Sequence, residues 1–221
     1  MRPYLADSVT DLHRQWPDNR TVNVVCHGHS VPAGYFATPV VDTFHAYPHL
    51  LHRGLKERFP FAVVNVIVTA VGGENSASGA ERLARDVLGH QPDVLTLDYG
   101  LNDRRLGLAA AAAAWRAMIE PALARPTKVL LLTPTPDASA MGAGPAEEWV
   151  ALQQHADQIR ALAQEYQVGL VDSLHAFARY QQAGGELSDL LSWSNHPNRA
   201  GHALVAAELL RFFPVAFADA S

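Results

Sequence analysis

Runs of consecutive Val, Leu and Ile alternate along this chain with segments in which apolar residues recur every three or four positions. The runs read as strands near Val22–Cys26, Ala62–Thr69, Asp93–Asp98, Lys128–Thr133 and Gly169–Val171. They are dominated by Val, Leu or Ile in near-continuous runs rather than alternating, as strands buried on both faces are. The periodic segments predict helices near 45–58, 79–89, 107–123, 146–166, 173–183 and 199–212. Six consecutive alanines at 109–114 fit this pattern, because alanine is the strongest helix former and Trp115, Met118 and Ile119 continue the apolar face. Strand and helix in strict alternation predict a parallel sheet covered on both sides. Residues 1–20 stand before this pattern as an N-terminal extension packed on or beside a single domain at 21–221. Between Pro134 and Pro145 runs a long irregular segment rich in Ala, Gly and Pro, which suits either the rim of a site or a plain surface loop.

With 221 residues and 48% hydrophobic content the chain can bury one sizeable core. A net charge of −5 with scattered Lys and Arg provides no basic field for nucleic acid or an anionic membrane. Cys26 is the only cysteine, so no internal disulfide can form, and a buried thiol is expected. Neither a signal-peptide pattern nor an apolar run of membrane-spanning length is present, so a cytoplasmic location is expected.

In an open parallel sheet, ligands bind beyond the carboxyl ends of the strands. Polar residues collect at those ends. The first strand runs into Gly28-His29-Ser30, the second into Val71-Gly72-Gly73-Glu74, and the third into Tyr99-Gly100-Leu101-Asn102-Asp103. Ser194-Asn195-His196-Pro197-Asn198 precedes the last helix. Attack on an ester needs a nucleophilic oxygen, a base for its proton and donors for the carbonyl oxygen as it becomes negative. Taken alone, each block has a bland alternative, Ser30 as a loop serine and Asn102 as a turn former.

Together the four blocks resemble the SGNH (GDSL-like) hydrolase superfamily, in which Ser, Gly, Asn and His occur in this order. The resemblance spans Val22 to His202. It implies a flavodoxin-like, three-layer α/β/α fold of about five parallel strands and a cofactor-independent serine hydrolase. Ser30 matches the nucleophile and His196 the general base. The oxyanion donors would be the main-chain N–H groups of Ser30 and Gly73 and the side-chain amide of Asn102. Two positions depart from the family pattern. His29 stands where Asp usually precedes the nucleophile, and Trp193 stands three residues before His196 where Asp is usual. A Ser-His dyad is therefore expected, with His196 oriented by a backbone carbonyl or another group.

Tyr35, Phe36 and Trp193 lie close in sequence to these residues and are candidates for a substrate wall, with core packing expected for at least one of them. The other histidines have no metal-ligand spacing, so no metal is expected. Asp172 reads as a helix N-cap. Asp103 and Arg104 read either as braces of the Asn102 loop or as a solvent pair. The expected substrate is a small ester with an acetyl or other short acyl group on a sugar or similar polyol, since no segment suggests a long apolar channel. Lysophospholipase or thioesterase activity, or a non-catalytic binding module on the same fold, remain alternatives. No nucleic-acid or membrane partner is expected, and the oligomeric state is open.

Overall fold

A computed structural model of the protein describes residues 3–192 and 195–215. The five apolar runs form one sheet: β1 (Thr21–Gly28), β2 (Val63–Val68), β3 (Val94–Asp98), β4 (Lys128–Leu132) and β5 (Gly169–Val171). All pairings are parallel, in the order β2-β1-β3-β4-β5. This is the doubly wound, flavodoxin-like order, and the chain changes direction across the sheet between β1 and β3.

Side chains along each strand point alternately to two separate apolar layers. Val22, Val24, Cys26, Leu130 and Leu132 face one layer, while Val25, Leu95, Leu97, Val129 and Leu131 face the other. The first layer is closed by α1 (Ala6–His13), α3 (Tyr47–Arg58), α7 (Ser173–Gln182) and α8 (Arg199–Leu210). Across the sheet, α4 (Ser76–Asp86), α5 (Leu108–Leu123) and α6 (Ala146–Glu165) close the second, around a fully buried Trp115. Both faces are thus covered along β1, β3 and β4, whereas the edge strand β2, expected to be buried likewise, leaves Val63 and Val68 exposed because it has a neighbour on one side only. Leu5, Val9 and Leu12, from the stretch before β1, join the first layer. Among the described residues, no helix is long and apolar enough to cross a membrane.

Element ends follow local chemistry. The helix expected at 79–89 opens at Ser76, because the Asn75 side chain accepts the Ser78 N–H, and gives way to a 3-10 turn at Leu88–His90. Asp172 caps α7 as expected, accepting the His175 N–H. Two helices were not apparent from the apolar pattern. One is α1, of eight residues, and the other is α2 (Ser30–Ala33), a single turn too short to show a period.

At the point where the sheet changes direction, Gly28 of β1 pairs with Asp98 of β3. A Cβ on Gly28 would lie 2.5 Å from the Asp98 carbonyl oxygen and 2.7 Å from Pro32 Cγ. Neither neighbour is the free end of a flexible side chain, so the strands or the turn must separate to admit it. Gly28→Ala is expected to lower unfolding free energy by about 1–3 kcal/mol through overpacking, read as a lower urea midpoint at unchanged m-value.

Candidate active site

Beyond Gly28 the chain enters α2, and Ser30 is its first residue. The His29 ring accepts the Val31 N–H on Nδ1 at 3.2 Å and so caps this turn. Gly34 ends it in the left-handed region at φ 91°, which turns the chain back along itself. Tyr35 N–H then donates to the Ser30 carbonyl at 3.0 Å, and the next residue, Phe36, turns its own carbonyl toward the Ser30 side chain's neighbour, His196.

His196 arrives from a loop pinned at both ends. Ser192 N–H donates to the His196 carbonyl at 3.0 Å, and Asn198 N–H donates to the Leu190 carbonyl at 2.8 Å. The His196 Nε2 lies 2.9 Å from Ser30 Oγ, and its Nδ1 lies 2.8 Å from the Phe36 carbonyl oxygen. A carbonyl can only accept, so Nδ1 carries the proton and Nε2 is left bare toward the serine. Burial holds the His196 pKa below its ordinary value. The hydrogen bond to the Phe36 carbonyl opposes that shift.

The glycine and asparagine blocks come to the same end of the sheet. Gly73 has φ 83°, and no atom lies within 4 Å of where its Cβ would be. Asn102 donates one amide hydrogen to the Glu74 carbonyl at 2.7 Å, tying the loop after β3 to the loop after β2 and leaving a second hydrogen to donate. Asp103 strengthens that tie. It is fully buried, accepts the Ser76 N–H at 2.8 Å and the Trp115 indole N–H at 2.7 Å, and its pKa is raised chiefly by burial. It braces the loop rather than pairing with Arg104. Arg104 instead reaches Asp137 at 2.6 Å and Glu148 at 3.2 Å. Asp137 lies in the irregular segment after β4. That segment thereby forms one wall of a cavity of about 420 Å³, shared with Gly73, Asn102, Arg105 and Asn195.

The candidate wall residues separate. Tyr35 packs on Gly72, and its ring centre is 6.1 Å from that of His196. Phe36 is buried with its ring 4.8 Å from the His202 ring, so its link to the site is its carbonyl. Trp193 lies outside the described residues. Asp189 accepts the Tyr180 hydroxyl and the Glu186 N–H, while His196 Nδ1 is bonded to the Phe36 carbonyl.

Two other histidines lie buried in the core. His27 is hydrogen-bonded to Thr69 Oγ1 and the Gly79 carbonyl, and burial lowers its pKa to about 4. His202 accepts the Tyr47 N–H, and burial likewise lowers its pKa, to about 3. Burial pushes the Cys26 thiol up to about 12, an inert buried sulfur. Among the described residues, no group of three or more His, Cys, Asp or Glu is arranged to hold a metal.

The family model for the GDSL-like lipase/acylhydrolase family matches residues 26–204, which include all four blocks. The chain belongs to that family. No curated protein matches it by sequence. Among solved structures it is similar to Axe2, an acetylxylan esterase from Geobacillus stearothermophilus, at 20% identity and a TM-score of 0.74, covering 89% of this chain and 95% of that one. A GDSL-like lipase from Parabacteroides merdae shares 18% identity at a TM-score of 0.75, with 88% and 96% covered. LAE5, an alpha/beta hydrolase from the metagenome of Lake Arreo in Spain, shares 22% at 0.73, with 87% and 94% covered. At these identities the likeness is one of fold. The departures at His29 and Trp193 therefore sit within a GDSL-like chain whose strand order and block order are otherwise intact.

Two residues of the site were not legible beforehand. Phe36 acts through its backbone, which no side-chain pattern encodes. Asp98 closes a buried strand with a carboxylate only 4% exposed, and an acidic residue ending the run Val94-Leu95-Thr96-Leu97 was the available signal.

Asn198 holds the His196 loop to α8. Its Oδ1 accepts the Ala200 and Gly201 N–H groups, and its Nδ2 donates to the Asp189 and Leu191 carbonyls. Asn198→Ala is expected to cost about 1–2 kcal/mol, the upper range for an N-cap, measured by chemical denaturation.

Proposed function

We propose that this protein is a serine esterase that hydrolyses a small ester through a Ser-His acyl-enzyme. The observation that carries the reading is the Ser30 Oγ to His196 Nε2 separation of 2.9 Å, with Nδ1 of the same ring donating to the Phe36 carbonyl. That arrangement sets the tautomer a general base requires. Ser30 Oγ attacks the ester carbonyl carbon as its proton passes to His196 Nε2. The carbonyl oxygen, now negative, is met by the Ser30 and Gly73 main-chain N–H groups and the free Asn102 amide hydrogen. Collapse breaks the bond to the alcohol oxygen, which takes the proton from His196. Water then repeats the sequence on the acyl-serine, giving the carboxylic acid and free Ser30.

A short acyl group, such as acetyl, on a sugar or other polyol is the substrate class we favour. The cavity beside Gly73 and Asn102 supports it, being lined by Arg104, Arg105, Asp137, Ser139 and Asn195, which suit hydroxyl-rich alcohols. The acetylxylan esterase among its structural relatives agrees with this choice.

With p-nitrophenyl esters, turnover is expected to fall steeply from acetate to octanoate. Ser30→Ala should lose about 10³-fold or more of kcat, and a fluorophosphonate should label Ser30 alone. Turnover unchanged in the variant, with no adduct on Ser30, would overturn the reading. A preference for octanoyl or acyl-thioester substrates would instead select the lysophospholipase or thioesterase alternative.

The pH profile follows from the sign of the His196 shift. A buried imidazole with a lowered pKa stays neutral, and able to accept a proton, to lower pH than a free one. The acid limb of kcat/KM should therefore have its midpoint below 6.5, with full activity at neutral pH. A midpoint above pH 7 would contradict this assignment of the base.

A further inference from the structure

Ser30 Oγ has two imidazoles beside it. His196 Nε2 is 2.9 Å away, and His29 Nδ1 is 3.3 Å away on the turn itself. The His29 ring is 1% exposed, and its far nitrogen, Nε2, lies 3.4 Å from Asp98 Oδ1. That separation lets charge act without forming a well-aligned hydrogen bond. The other carboxylate oxygen, Oδ2, accepts the hydroxyl of the fully buried Tyr47 at 3.2 Å. The groups facing His29 are therefore Asp98 from β3, Ser30 and Val31 from α2, His196 from the loop before α8, and the Tyr99 ring at 6.5 Å.

The tautomer of His29 follows from these contacts. Val31 N–H points at Nδ1 from 3.2 Å, and a second N–H at that position would oppose it donor to donor. The ring proton therefore belongs on Nε2, where the Asp98 carboxylate attracts it. Nδ1 is left as a bare acceptor facing Ser30.

We propose that His29 and Asp98 form a second histidine–carboxylate pair at the nucleophile, a positioning pair that replaces the carboxylate missing from both the first block and the base. The proposal rests on the reading of Ser30 and His196 given above. No proton passes to His29. Its lone pair holds the turn through Val31 and offers no donor to Ser30 Oγ, so once the hydroxyl proton has gone to His196 nothing on that side blunts the nucleophile. The Asp98 charge, set behind the neutral ring, favours the imidazolium that forms on His196. His196 itself has only the neutral Phe36 carbonyl for this purpose.

Three measurements on the full chain test this. Nitrogen-15 correlation spectra of the wild-type histidines should show His29 protonated on Nε2 and bare on Nδ1 at neutral pH, and a protonated Nδ1 would overturn the proposal. Asp98→Asn should lower kcat on the order of 10-fold or more with KM little changed, and should move the acid limb of kcat/KM to lower pH, because loss of a negative charge weakens proton binding by His196. An acid limb and kcat equal to wild type would overturn it.

His29→Asn separates positioning from capping. Asn is a good N-cap and can accept the Val31 N–H, so a residue that only capped the turn would be replaced without loss. Wild-type kcat in this variant would overturn the proposal, whereas a loss of about 10-fold or more, with thermal stability retained, would support it. The spectra are read on wild type and so remain decisive if Asp98→Asn does not fold. If wild type hydrolyses no ester, the proposed function fails, while the His29 tautomer can still be read.

Discussion

The close approach of β1 to β3 at Gly28 is the constraint on which the site depends. The two strands pair in parallel up to Gly28 and Asp98, and the His29 N–H continues the ladder to the Asp98 carbonyl at 3.2 Å. Because glycine leaves only a hydrogen there, the chain can pass close to the Asp98 carbonyl and turn at once into α2, with Ser30 as its first residue. The sheet is widely paired on both sides of this point, so its position is held by two dry apolar layers rather than by local turn chemistry. Such interiors are packed at near-crystalline density, and a displacement of a few tenths of an ångström at the strand end is resisted by the whole core.

From that fixed point the loops are tied to one another by polar contacts shielded from water. Asn102 holds Glu74, Asp103 holds Ser76 and Trp115, and Arg104 holds Asp137. The ties to Glu74, Ser76 and Asp137 join segments that follow different strands, and the tie to Trp115 anchors the loop on α5. Asp103 is the costliest of these groups to bury, as its raised pKa indicates, and its two hydrogen bonds offset that cost. Removing one partner would leave one of its buried oxygens unsatisfied, a larger loss than the net worth of an ordinary hydrogen bond. Pre-ordering of this kind is what an oxyanion site requires, since donors already in place need no reorganisation as charge develops.

The orientation of His196 by a carbonyl has an energetic consequence. A carbonyl sets the tautomer as well as a carboxylate does, but it carries only a dipole against the positive charge of an imidazolium. A buried carboxylate stands instead behind His29, at Asp98. The departure from the family pattern at residue 29 thus bears on the charge around the nucleophile. Charge withheld on one side of Ser30 is present on the other.

Much of the architecture was determined by the sequence alone. Near-continuous apolar runs such as Val24-Val25-Cys26 and Val129-Leu130-Leu131-Leu132 point to burial on both faces, and that requirement specifies a covered parallel sheet. The polar blocks after those runs, with the one before the last helix, marked Ser30, Gly73, Asn102 and His196 as candidates, because ligands bind beyond the strand ends of such a sheet. Helix limits were legible only to a turn or so, since caps such as Asn75 act locally and override the apolar period. What only the tertiary structure decided is which groups, distant in sequence, touch. The Phe36 carbonyl meets His196 across 160 residues, and Tyr47 meets Asp98 across 51. A main-chain carbonyl is the same in every residue, so sequence carries no mark of its role. Asp98 does leave a mark, but its partner is His29, an adjacent strand's end away, and only the register of β1 against β3 brings that carboxylate behind the ring.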